Sequence, residues 1–348
     1  MTFFKKIQKL KQPYIIAEIG ANHNGSLALA KKLISEAKIA GANCVKFQSW
    51  TKNSIFSKKK YEDNYFLKDD YRKRKDFTLE KIVEKFSLSE NQLLKLKKYC
   101  KTIKIDFTST PFSKGEVDFL VNKLNVPFIK VASMDLNNYP FLKYIAKQNK
   151  TIVLSTGLSN FTEIKKAVKT IEKEKNYKII ILHCIAIYPT PDNLANLNNI
   201  ETLKKKFKYP IGFSDHTLGF GISLASFTKG IKLLEKHFTL DKKMFGWDHK
   251  VSVDPDELKI ICNEAKRIPP SMGSYKIVSP ESKKIKKEFR RSIVLSRDLK
   301  KGHILKENDL DFKRPGTGLE PDKINYLIGK TLRLDLKKDI IISYKYLK

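Results

Sequence analysis

Two histidines, His216 in GFSDHTLG (212–219) and His237 in EKHFTLD (235–241), each stand at the end of a short apolar run rich in strand-forming residues. If those runs are neighbouring parallel strands, their backbones lie about 4.8 Å apart and two imidazoles can meet one metal ion. Two protein ligands leave positions open for water and substrate, which suits Lewis-acid catalysis and not a closed structural site. Taken singly, a histidine in an apolar strand is more often a satisfied core residue; the matched pair is what points to a metal. Lys46, in VKFQS (45–49), and Lys130, in KVAS (130–133), occupy similar runs. Lysines inside parallel strands call for anionic partners, so both stand as counter-charges for a phosphate or carboxylate.

Elements that would position these residues recur along the chain. From Tyr14 onward, β-rich runs alternate with amphipathic segments such as LALAKKLISEAKIAG and TEIKKAVKTIEKE, the pattern of a parallel sheet with crossover helices. The runs are 15–19, 44–49, 106–111, 128–133, 152–157, 179–186, 211–217 and 233–240. Eight units over about 250 residues predict a (β/α)8 TIM barrel. An open doubly wound sheet is the runner-up, but no GxGxxG follows the first run. A barrel places its active site at the C-terminal strand ends. There the chain carries Glu18, Lys46 with Gln48, Ser109 with Thr110, Lys130 with Ser133, Ser155 with Thr156, His183 and Tyr188, Asp215 with His216, and Glu235 with His237. Residues two apart on a strand share a face, so Lys46 and Gln48, and Glu235 and His237, can point into one interior.

Composition excludes several classes. The 348 residues carry no apolar run of about 20 residues and no cleavable signal at MTFFKKIQKL, so a soluble cytoplasmic protein with no membrane partner is expected. Cys44, Cys100, Cys184 and Cys262 are scattered without a CxxC pair and read as buried thiols. The formal charge is +32, with 69 Lys+Arg against 37 Asp+Glu. The excess is nearly all lysine, spread over predicted helix faces with no basic-aromatic recognition module, so a solvated surface is preferred to a nucleic-acid interface. That charge should still steer anionic substrates inward.

Residues 51–88 separate the second strand from its helix where a few residues normally suffice. A substrate lid and a surface excursion or oligomer contact are equally compatible with SKKKYEDNYFLKDDYRKRKDF. The barrel is expected over 1–268, a linker over 269–290 and a small domain of short strands over 291–348, with turns at KKGH, RPGTG and LKKD.

AEIGANHNG (17–25), VKFQS, STPF (109–112), KVAS, LSTG (154–157), LHC followed by YPTP (182–191), GFSDHTLG, EKHFTLD and KRPGTG (313–318) together resemble the sialic acid synthase family, nearly end to end. The resemblance implies a (β/α)8 barrel followed by a C-terminal SAF (antifreeze-like) domain. It also implies condensation of phosphoenolpyruvate with an N-acetylated amino sugar to give a nonulosonic acid and phosphate. His216 and His237 match the family's metal ligands, with manganese or magnesium as the usual divalent ion. Lys46, Thr110, Lys130, Ser133 and Ser155 match positions that hold phosphoenolpyruvate. Glu18, Gln48, Tyr188 and Asp248 match the sugar side, and Asn22 and His23 belong to the first loop of the pattern. Glu18 is the candidate for positioning or deprotonating the attacking water. Arg314 matches an arginine that reaches from the SAF domain into the partner subunit's barrel, which makes a homodimer part of the active site.

Two departures fall on the sugar side: Ala186 stands where a polar residue is common, and Asp135 where glutamate is common. They leave open whether the sugar is N-acetylmannosamine or a diacetamido hexose leading to a legionaminate- or pseudaminate-type product. The rival readings are an aldol-condensing barrel acting on an aldose phosphate, a non-catalytic carbohydrate-binding barrel, and RNA binding by the lysine surface.

Overall fold

The computed structural model describes residues 1–63 and 78–348. Eight parallel strands form the first unit: β1 (Tyr14–Gly20), β2 (Cys44–Gln48), β3 (Asp106–Thr110), β4 (Phe128–Val131), β5 (Thr151–Ser155), β6 (Ile179–Cys184), β7 (Ile211–Asp215) and β8 (Leu233–His237). The ladder runs β3-β2-β1-β8-β7-β6-β5-β4, and β1 pairs with β8 in parallel from Tyr14↔Leu233 to Glu18↔His237. Between β3 and β4 the ring is closed by a side chain, Thr108 Oγ1 donating to the Phe128 carbonyl at 2.8 Å. This is a nearly closed (β/α)8 barrel. Most of the expected runs extend past the last ladder residue on their C-terminal side, because the polar tails that follow belong to loops.

Alternation sorts the strands into two cores. Val45, Phe47, Ile129, Val131, Ile152, Leu154, Phe213 and Leu234 face the helices. Those helices follow the expected patterns: Phe161–Lys173 buries Ile164, Ala167, Val168 and Ile171 on one stripe and starts at an Asn160–Glu163 capping box. Ile16, Cys44, Phe128, Val153, Ile180, Leu182 and Leu233 form a separate interior core. Its floor is Phe3 and Ile7 of an N-terminal helix, Phe3–Lys9. Burying those two side chains stabilises the floor by about 1.5–3 kcal/mol each. With the N-terminal end filled, the described cavity of the interior opens toward the C-terminal ends of the strands.

Within residues 51–88 the chain forms short helices at Lys52–Ile55, Lys58–Asp63 and Leu79–Phe86; the middle of the expected lid, 64–77, lies outside the described residues. The helix Leu79–Phe86 buries Leu79, Ile82, Val83 and Phe86 in a cluster with Trp50, Phe112, Phe245 and Trp247. No described helix is long and apolar enough to cross a membrane.

The first compact unit is Met1–Gly273 and the second Ser274–Lys348. The helix Pro255–Ser271 runs past Ile268, and within the segment read as a linker Lys283–Phe289 is helical. The second unit pairs β9 (Ser292–Leu295) and β10 (Leu310–Lys313) antiparallel over a core of leucines and isoleucines. Its buried Asp309 accepts from Arg297 Nη2 at 2.7 Å and from the Lys306 amide at 2.9 Å, and pairs with His303 Nε2 at 2.7 Å. Burial pushes that carboxyl up, but these donors more than offset it and hold its pKa at about 2. The KRPGTG loop follows β10, and its Gly318 is required sterically: a Cβ there would lie 2.1 Å from Ile341 Cγ2.

Candidate active site

The deepest polar layer of the barrel is a quartet of buried charges. Glu18, Lys46, Lys130 and Glu235 come from the interior faces of β1, β2, β4 and β8, and each is at most 4% exposed. Lys46 Nζ lies 2.5 Å from Glu18 Oε2, 3.9 Å from Glu235 Oε1 and 2.9 Å from Thr110 Oγ1. Lys130 Nζ lies 3.3 Å from Glu235 Oε1, which also accepts from Ser214 Oγ at 3.2 Å. Gln48 Nε2 donates to Glu18 Oε1 at 3.0 Å.

Electrostatics divides the two carboxylates. Burial pushes Glu18 up to about 7 against the pull of Lys46, with Glu235 reinforcing the rise. Burial also pushes Glu235 up, but Lys130 and Lys46 more than offset it, so its pKa falls and it stays ionised. At Lys46, burial disfavours the ammonium and the two carboxylates outweigh it, so its charge is secure. The quartet is incompletely satisfied, since Glu235 Oε2 and the nearby Ser155 Oγ are buried without a hydrogen-bond partner. Unpaired buried polar atoms at the bottom of an open cavity fit a polar ligand.

One layer higher stand His216 and His237, their ring centres 5.4 Å apart. His216 Nδ1 is 2.7 Å from the Ile185 carbonyl. A carbonyl only accepts, so Nδ1 carries the proton and Nε2 a lone pair. Burial, then His216 and Lys46, push the His237 pKa well below its usual range, so this imidazole is neutral. Its Nδ1 is buried without a hydrogen-bond partner, and Asp248 Oδ2 lies 3.6 Å away. Among the described residues no cluster of three or more metal-binding side chains forms. Two neutral imidazole nitrogens, His216 Nε2 and the unpartnered His237 Nδ1, form a donor set that fits a divalent ion keeping open positions. At His216, burial opposes protonation but Cys184 and the Ile185 carbonyl outweigh it, raising the pKa, so a proton would compete with a metal as pH falls. Tyr188 packs over His216 with ring centres 4.1 Å apart.

Of the residues singled out in the sequence, Glu18, Lys46, Gln48, Thr110, Lys130, Ser133, Ser155, Tyr188, His216, His237 and Asp248 line one cavity of about 520 Å3. Gly20 makes room among them: its φ is +49°, and a Cβ would sit 2.9 Å from Glu18 Oε1. Asp135 does not line the cavity. Its short 3-10 turn presents Met134 there instead, while the Asp135 carboxylate accepts from Asn138 Nδ2 at 3.1 Å. Asn22 ties the β1 loop to the Phe238 carbonyl and Ser252 Oγ, both at 2.9 Å, and His23 Nδ1 accepts from the Gly25 amide at 3.0 Å.

His183 and Asp215, expected at the strand-end site, are absent from the cavity lining. His183 Nε2 bonds to the Ala195 carbonyl at 2.7 Å, and Asp215 pairs with Lys236. Arg314 belongs to the second unit, where it is exposed with its guanidinium 5.0 Å from the Phe289 ring centre. Glu235 carried a strand-end position but no role in the sequence reading; its spacing of two from His237 was the available signal. Trp50, Phe56 and Trp247, which also line the cavity, carried none.

Buried lysines and carboxylates beneath two histidines, at the C-terminal end of a (β/α)8 barrel, define a barrel enzyme. Residues 33–277 match the NeuB family and residues 290–348 the SAF domain. The chain belongs to the NeuB family, the sialic acid synthase group its motifs resemble. It is 42% identical to an uncharacterised protein of Methanocaldococcus jannaschii, over 97% of this chain and 95% of that one. It is 41% identical to the N,N'-diacetyllegionaminic acid synthase of Campylobacter jejuni, over 96% and 99%. Among solved structures, the N-acetylneuraminic acid synthetase of Leptospira borgpetersenii superposes with a TM-score of 0.69 at 33% identity, covering 79% of this chain and 90% of that one.

Proposed function

We propose that this chain condenses phosphoenolpyruvate with an N-acetylated amino sugar to give a nonulosonic acid and inorganic phosphate. The observation that carries the reading is the stacking of two buried lysines beneath two imidazoles in one cavity. Lys46 and Lys130, with Thr110, Ser133 and Ser155, bind the phosphate and carboxylate of phosphoenolpyruvate. Gln48, Tyr188 and Asp248 hold the open-chain sugar, with Asp135 supporting that side from behind Met134. His216 and His237 would hold a divalent ion, manganese or magnesium, which would supply Lewis-acid activation of the sugar's carbonyl. The vinyl carbon of phosphoenolpyruvate attacks the aldehyde carbon, and water adds to the electron-poor second carbon. Phosphate then leaves by carbon–oxygen cleavage as the keto group forms. Glu18, poised near neutrality beside Lys46, orients that water and takes its proton, while the lysines stabilise the anionic oxygens.

The test is phosphate release with product mass analysis, using phosphoenolpyruvate and a panel of acetamido sugars with and without chelator. Release should need both the sugar and a divalent ion, and His237→Ala should abolish it with folding intact. Equal release with erythrose 4-phosphate or arabinose 5-phosphate would move the chain to the aldose-phosphate barrels.

A homodimer belongs to the same proposal, with Arg314 of one copy completing the other copy's site. It is supported by exposed Met134, Leu158, Ile187, Tyr188 and Leu218 on loops around the mouth, an apolar rim that a second chain would cover. Mixing His237→Ala and Arg314→Ala chains should restore part of the activity; an arginine serving its own barrel would give no such rescue. A cytoplasmic location is supported by the four buried, unpaired cysteines.

A further inference from the structure

We propose that a second binding site lies on the N-terminal face of the barrel, where Lys6, Lys150 and Lys178 converge on a cavity that takes an organic phosphate. The cavity lies outside the floor made by the N-terminal helix and measures about 400 Å3. It shares no lining residue with the active-site cavity, so the proposal stands or falls independently of the condensation. Small-molecule sites occupy about 300–1,000 Å3, and a space of this size exceeds what one inorganic anion fills.

The chain builds this cationic wall from inside the fold. Lys150 and Lys178 immediately precede β5 and β6, which are neighbouring parallel strands. Buried Asn176 fixes the two against each other, its Nδ2 donating to the Lys150 carbonyl at 2.9 Å and its Oδ1 accepting from the Lys178 amide at 3.0 Å. The lysine side chains are held by neutral acceptors. Lys150 Nζ donates to Asn125 Oδ1 at 2.6 Å, and Lys178 Nζ to the Asn149 carbonyl at 2.5 Å. Asn125 and Asn149 lie in the turns ahead of β4 and β5 at φ of +44° and +54°, a conformation that asparagine tolerates. Lys6 comes from the helix Phe3–Lys9, so the helix that plugs the floor also presents a cation here.

Charge in the cavity is unbalanced. Among the described lining residues three lysines face one carboxylate, Asp106. That carboxylate already accepts from Lys6 Nζ at 3.1 Å and from the Tyr14 hydroxyl at 2.5 Å. Burial, then the nearby Lys97 and Lys178 ammonium groups, push the Lys150 pKa down, so the lysines crowd one another. An anion between them relieves that repulsion. A phosphoryl group carries close to two negative charges and three strong acceptor oxygens, which matches three converging ammonium groups better than a carboxylate does. Val126 and Pro127 line the remaining wall and suit the organic part of the ester.

The test is isothermal titration with adenosine monophosphate, glucose 6-phosphate, inorganic phosphate and adenosine. The proteins are the wild type, Lys150→Met with Lys178→Met, Lys46→Met in the active site, and Lys165→Met with Lys169→Met. The last pair removes the same charge from the exposed face of the helix Phe161–Lys173. Stoichiometry counts the folded chains, so a partly unfolded variant still reports its affinity. One ester at least should bind saturably and more tightly than inorganic phosphate, and adenosine should not bind. Preference for the nucleotide or for the sugar phosphate then identifies the organic body. Lys150→Met with Lys178→Met should weaken that binding about tenfold or more, the loss expected for hydrogen bonds to a charged group. The other two variants should retain it. Absence of binding by either ester, or inorganic phosphate binding as tightly as both, would overturn the proposal. So would equal weakening by the two lysine pairs, which marks a diffuse surface field, or binding that is lost in Lys46→Met and kept in Lys150→Met with Lys178→Met.

Discussion

Two buried lysine–carboxylate systems sit side by side in this barrel and differ by one residue of strand parity. Ser214 and Glu235 face the interior; Asp215 and Lys236, their immediate neighbours, face outward. The outer pair is closed. Lys236 Nζ donates to Asp215 Oδ2 at 2.9 Å and to the Thr217 carbonyl at 2.6 Å, and Asp215 also accepts from the Thr217 amide and from the hydroxyls of Thr217 and Ser223. The inner system has two lysines and two carboxylates of which one oxygen lacks a partner, and it opens onto the cavity. The same chemistry is structural where every lone pair is used, and available for a ligand where some are not.

Breaking the outer pair should have the largest effect on folding. Lys236→Met strands the Asp215 charge among residues with no exposure, at a cost of about 3–5 kcal/mol in urea unfolding. The KM for phosphoenolpyruvate should barely move in the fraction that folds. Lys46→Met should do the converse, lowering kcat/KM by about 10²–10³-fold, as loss of a preorganised charge does. Its stability cost should be smaller, because Glu18 can take up a proton and Lys130 remains beside Glu235. If Lys46→Met unfolded the chain while Lys236→Met only slowed turnover, the distinction between the two systems would be lost.

Parity explains what could be read from the sequence. Lys46 with Gln48 and Glu235 with His237 lie two apart on strands, and all four point inward as that spacing demands. His183 was misplaced because IIILHC is buried on both faces, so polarity along the run does not mark the interior. Asp215 was misplaced by adjacency to His216. The Phe3–Lys9 floor is a helix too short for its periodicity to stand out. The aromatic lining of the active-site cavity was invisible because Trp50, Phe56 and Trp247 meet through contacts nearly 200 residues apart in sequence, as the numbering itself shows. Asp135 depended on which residue of a three-residue turn faces inward, and no periodicity governs that.

The smallest effect is the most diagnostic of the inner system's internal balance. Burial raises the Glu18 carboxyl from an ordinary 4.5 to about 7, Lys46 notwithstanding. Between those values the folded chain holds a proton that the unfolded chain releases. This contribution to stability is therefore fully present below about 4.5 and is lost as pH rises through about 7. Its slope is at most about 1.4 kcal/mol per pH unit. Glu18→Gln cannot ionise but keeps a hydrogen-bonding group beside Gln48, so its stability should vary less across that window. Urea unfolding of both chains at several pH values separates the cases. If Lys46 dominated instead, Glu18 would be depressed, and the wild type would gain stability as pH rose through the acid range. The inner system would then be an ordinary closed ion pair like the outer one, with no carboxylate basic enough near neutrality to take the attacking water's proton.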